Sequence, residues 1–133
     1  MDNNEFIQAV ARRCWTSAEQ ATAITRATLR TLAERIDRGE ARTLAAELPE
    51  ELRAYVFAPS ETVERFGLDI FVQRVSGRAD VDGAQAKAGM RAVFDTMREA
   101  VTPGEYDDVV GQLPAELWEI TESAARFDSP RAP

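Results

Sequence analysis

The acidic side chains are the residues of this chain that are best suited to catalysis or to metal binding. Glu40 and Glu105 lie in matching Gly-Glu motifs, and Glu51 and Glu116 lie in matching Leu-Pro-x-Glu-Leu motifs. Four carboxylates brought together could bind Mg²⁺ or Ca²⁺, or exchange protons with a substrate. A glutamate at the third position of a short helix also satisfies free amide groups, and we favour this capping interpretation.

The amino-acid composition excludes most other kinds of catalytic site. The 133 residues include no His and a single Cys, Cys14. Ser-His and Cys-His nucleophiles are therefore excluded, as are metal and haem sites that need several nitrogen or sulfur ligands. No glycine-rich phosphate loop is present either. We expect a non-enzymatic protein with no catalytic residue, no cofactor and no metal.

Charge and targeting signals indicate an acidic cytoplasmic protein. The formal net charge is −7, which disfavours nucleic acid and anionic membranes as partners. The N-terminal residues lack the pattern of a signal peptide, and no apolar run is long enough to span a bilayer. A lone cysteine cannot form an internal disulfide, and we expect Cys14 to pack in the core.

The two halves of the chain resemble each other at a constant offset of 65 residues. The segment from Gly39 to Leu52 returns without a gap from Gly104 to Leu117. We therefore predict two repeats, 4–56 and 69–121, joined by a linker at 57–68. Together they form a single helical domain spanning 1–126, followed by a disordered tail at 127–133.

Each repeat is predicted to form four helices, because its apolar residues recur at helical spacing. Helix starts in the first repeat are predicted near Asn4, Thr16, Asp37 and Pro49. Those in the second repeat are predicted at Asp69, Asp82, Thr102 and Pro114. The fold class is therefore all-α, with two four-helix units related by an approximate twofold axis in one compact domain.

Positions that are apolar in both repeats should form the core. A residue that is apolar in only one repeat should have a role that is specific to that repeat. Trp15, Ile70 and Trp118 are of the second kind, because their counterparts are polar. We favour packing between the repeats for the tryptophans, and exposed contacts for a partner remain the alternative. The shared apolar pairs are Phe6/Phe71, Val10/Val75, Leu32/Met97, Leu44/Val109 and Leu48/Leu113.

Several runs resemble the bacterial domain of unknown function 2267 family. They are RATLRTLAERI at 26–36, LAAELPEEL at 44–52, FVQRV at 71–75 and REAV at 98–101. The resemblance implies an all-helical, duplicated bacterial domain over residues 4–122, with no transferable catalytic residue. A histidine associated with the family's second long helix would fall near Ala88 or Gly89, so any His-dependent function should be absent.

The leading functional hypothesis is a helical module that binds a protein partner or itself. The alternative is a helical protein that binds a small molecule or a divalent metal in a pocket between the repeats, as a carrier or a carboxylate-based enzyme. The missing histidine and phosphate loop favour the first hypothesis.

Leu48→Ala or Leu113→Ala should lower the free energy of unfolding by about 2–5 kcal/mol, because each removes a buried side chain and leaves a cavity. Chemical denaturation measures the loss. A loss under about half a kcal/mol for both variants would contradict their assignment to the core.

Overall fold

The computed structural model describes residues 1–58 and 62–117, and within these ranges the chain is helical with no strand. The first half contains α1 (Asn3–Arg13), α2 (Ala18–Arg35), α3 (Arg38–Glu47) and α4 (Glu50–Arg53). The second half contains α5 (Leu68–Ala79), α6 (Gly83–Ala100) and α7 (Pro103–Gly111). None of these helices is long and apolar enough to cross a membrane.

Side-chain caps define five of the helix starts, and each accepts a hydrogen bond from an amide of the first turn. The capping residues are Asp2, Ser17, Asp37, Asp82 and Thr102. Two predicted starts were wrong: α2 is capped by Ser17 rather than Thr16, and α5 begins at Leu68, so Asp69 lies in its first turn. Pro49 precedes α4 as predicted but makes no side-chain cap.

The helices pack across the two halves of the chain. Helix α1 packs against α6, α2 packs against α5, and α3 packs against α7. The two longest helices, α2 and α6, also pack against each other. These contacts between residues far apart in sequence join the packing of α1 on α2 and of α5 on α6 within each half.

The predicted core is confirmed. All ten members of the five shared apolar pairs are buried. Met90, Phe94 and Met97 of α6 are fully buried beside them, which supports core packing rather than a ligand pocket for these residues.

Two arginines of the first half, Arg13 and Arg35, make hydrogen bonds to the second half of the chain or to the connector before α5. Arg13 donates to Thr96 and Glu99 of α6 at 2.8 Å each. Arg35 is 7% exposed and donates to two backbone carbonyls. Their partners are 31 or more residues away, so the sequence carries no local signal for these contacts.

Ile24 and Gly89 are 65 positions apart, and they meet where α2 crosses α6. A Cβ atom at Gly89 would overlap the Ile24 Cγ2 methyl and lie 3.0 Å from Cδ1. Glycine is therefore required here for the helices to approach, because Ile24 is itself enclosed in the core.

Gly89→Ala should lower the free energy of unfolding by about 1–3 kcal/mol, since the added methyl overpacks the crossing. Gly77→Ala is the matched control: its Cβ would meet nothing within 4 Å, so the better helix propensity should stabilise the protein by up to about 1 kcal/mol. Urea denaturation measures both. Equal effects of the two substitutions would show that the crossing has spare room.

Candidate functional site

Trp15 is the most exposed large apolar residue of the described chain. It follows the end of α1 with a φ of 56°, and its side chain is 94% exposed. The turn is held by a hydrogen bond from the Thr16 amide to the Ala11 carbonyl, 3.0 Å. The packing between the halves that we favoured for Trp15 is therefore not observed.

Two hollows flank the Trp15 indole. One is lined by Ala11, Arg12 and Thr16. The other is lined by residues that α2 and α6 contribute, among them Ile24 and Ala88. Within the described residues, the Arg12 guanidinium makes no hydrogen bond or ion pair. An exposed indole thus lies beside an uncompensated positive charge.

The other two predicted contact residues differ from Trp15. Ile70, in the first turn of α5, is 38% exposed. Trp118 lies outside the described residues, as does the predicted tail at 127–133. Cys14, beside Trp15, is half-buried; its thiol donates to the Val10 carbonyl, and burial raises the pKa of Cys14, which opposes formation of a reactive thiolate.

Two of the four carboxylates singled out in the sequence come together. Glu40 of α3 and Glu105 of α7 are joined by Asp108, and one oxygen from each lies within 4.8 Å of the others. Glu51 and Glu116 are exposed and lie outside this acidic cluster. Asp108 was missed because its counterpart in the first repeat is Thr43, so the repeat drew no attention to it.

The capping role expected for the Glu40 and Glu105 side chains was wrong. The Asp37 amide donates instead to Gln112 Oε1, and the Thr102 amide donates to Glu47 Oε1, at 2.7 Å each. The acceptor for each of these two N-cap backbone amides thus comes from the other half of the chain, and Glu105 instead faces Glu40. Glu105 is 5% exposed, and its Oε2 has no hydrogen-bond partner within the described residues.

Most of the chain matches a known protein family. The family described as "Uncharacterized conserved protein (DUF2267)" matches residues 3–120. The chain belongs to this family. No curated protein matches it.

In this DUF2267 chain the surroundings of Glu105 in α7 favour its protonated form. Burial raises the pKa of Glu105 to about 8, and the hydrogen bond and charge of Glu40, with the charges of Glu47 and Asp108, act in the same direction. Protonated Glu105 can donate to the Glu40 carboxylate. A proton shared between the two helices would account for the close approach of these two carboxyl groups.

The shared proton predicts a pH dependence of stability. An unfolded glutamate loses its proton near pH 4.5, whereas folded Glu105 keeps its proton until about pH 8. The contribution of Glu105 to folding stability is therefore complete below the pKa that it has in the unfolded chain. It is lost as the pH rises to the pKa that Glu105 has in the folded protein. Between about pH 6 and pH 9 in metal-free buffer, the free energy of unfolding should fall by about 2 kcal/mol more in the wild type than in Glu105→Gln.

Glutamine is the suitable replacement because it keeps the shape and neutrality of the protonated side chain. Asp107→Asn removes an exposed carboxylate from the same helix and serves as the control. It should retain the wild-type slope. Parallel pH profiles for wild type and Glu105→Gln would contradict the shared proton.

Proposed function

We propose that this DUF2267 chain is a non-enzymatic, cytoplasmic interaction module of two packed four-helix repeats, and that Trp15 anchors a partner protein. The exposure of Trp15 carries the proposal. Nucleic acid and membrane are not partners in it, because the chain is strongly acidic.

Reciprocal contacts between equivalent positions support the two-repeat arrangement. Arg13 donates to Thr96 and Glu99, and Arg78 donates in the same way to Thr31 and Glu34. Each residue of the first set lies 65 positions from its counterpart in the second. An approximate twofold axis between the halves would account for these two matching sets of hydrogen bonds.

The backbone at Trp15 supports a functional role for its side chain. Asp80, the equivalent residue, has the same φ of 56°. Aspartate and asparagine tolerate this left-handed conformation, whereas a bulky side chain there is a strained exception. An exposed tryptophan at a strained position adds little to the fold, so a contact outside the chain is the better reason for its presence.

The surroundings of Trp15 define the chemistry of the partner. Tryptophan is the residue type most enriched among binding hot spots, and Arg12 offers an unpaired guanidinium beside it. The occupant we propose is a peptide segment of another protein, with a large apolar side chain next to Asp or Glu. The apolar side chain would lie against the indole while the carboxylate meets Arg12.

Selection from a random peptide library tests the proposal. Wild-type protein should enrich peptides that pair Leu, Ile or Phe with a neighbouring acid. Trp15→Asn should weaken an enriched peptide about 30-fold, because removal of a hot-spot residue costs about 2 kcal/mol or more of binding. Its Tm should be unchanged or higher, since asparagine suits the backbone conformation.

Asp80→Asn alters the equivalent turn of the second repeat and is the matched control, which should bind as wild type does. Arg12→Gln should weaken acidic peptides and leave their neutral analogues unaffected. The proposal fails if no acidic-apolar peptide is enriched, or if Trp15→Asn binds equally well. Concentration-dependent dimerisation through Trp15 would replace the peptide by a second copy of the chain and also overturn it.

A further inference from the structure

A polar hollow between the two halves contains two arginines. It lies between the end of α2, the connector before α5 and the end of α7, and its volume is about 480 Å³. Arg35 is the last residue of α2, Arg65 belongs to the connector, and Gln112 follows α7. The hollow is remote from Trp15 in sequence and shares no lining residue with the hollows beside it.

Arg35 is a buried cation without a matching anion. Its side chain donates from Nε to the Phe66 carbonyl at 3.0 Å and from Nη1 to the Gln112 carbonyl at 3.1 Å. Within residues 1–58 and 62–117 it forms no ion pair, and Nη2 makes no hydrogen bond. Arginines as buried as this one, which is 7% exposed, are normally paired with an acid.

A second positive charge adds to the imbalance. Burial, together with the positive charge of Arg65, lowers the pKa of Arg35. Arg65 is exposed and has no ion pair with any described residue. Asp37 also borders the hollow, and its two carboxylate oxygens accept from the Glu40 amide and from Gln112 Nε2 rather than from either arginine. Its negative charge leaves a net positive charge of one on these three side chains.

We propose that this hollow binds the oxyanion group of a small molecule, a phosphate or a carboxylate, between Arg35 and Arg65. The free Nη2 of Arg35 and the guanidinium of Arg65 supply the donors, and planar guanidinium groups suit both kinds of oxyanion. A bound anion would also relieve the repulsion between the two arginines. The net charge of −7 opposes anions in general, so binding at this place requires the local pair.

Anion-dependent thermal stability tests the proposal. Inorganic phosphate and succinate are titrated separately against the full chain, with sodium chloride at matched ionic strength as the reference. At least one of the two oxyanions should raise Tm by about 2–5 °C at saturation. A response to phosphate alone assigns phosphoryl ligands, and a response to succinate alone assigns carboxylates.

Arg65→Gln is the decisive variant, because Arg65 is exposed and its loss should not impair folding. The variant should keep its Tm in chloride and lose at least about tenfold in anion affinity. Arg91→Gln removes an exposed arginine of α6 and should respond as wild type does. Amide chemical shifts during the titration should change first at Gly111 and Gln112, which border the hollow.

Three results would overturn the proposal. The first would be that neither oxyanion raises Tm above the chloride reference. The second would be that Arg65→Gln retains the full response to the anion. The third would be amide shifts that change throughout the chain with no maximum at the end of α7. The first two do not depend on Trp15, so peptide binding and anion binding succeed or fail separately.

Discussion

The close approach of α2 and α6 at Ile24 and Gly89 is the constraint on which the rest of the fold depends. Where the two longest helices meet, the branched side chain of Ile24 faces a residue without a side chain, and a Cβ atom at position 89 would overlap it. Helices α1 and α5 each contact both α2 and α6. The contact also explains why a bulky residue such as histidine is incompatible with position 89 in this chain.

The helices and their core could be predicted from sequence because both depend on local information. Helical spacing of apolar residues identifies the buried face, and capping residues mark the starts to within a residue or two. The 65-residue offset added a further filter, since positions such as Leu48 and Leu113 are apolar twice. These features need no knowledge of which helices are neighbours.

The polar contacts could not be predicted, because they form between helices distant in sequence. Arg13 and Arg35 resemble solvated surface arginines until their partners are known. Glu105 has the pattern of a capping residue, yet the Thr102 amide donates to Glu47, and the Glu105 carboxyl faces Glu40. Packing between the repeats is expected for Trp15 because a repeat of about 50 residues is marginally stable alone, whereas Trp15 lies in a left-handed turn with its side chain exposed.

The exchange of helices between the halves has a topological consequence. Because α1 lies on α6 and α2 lies on α5, neither half encloses a complete core without the other. The connector after α4 decides only whether the partner helices come from the same molecule. A shorter connector would permit the same contacts between two chains, giving a domain-swapped dimer in which each protein completes the other.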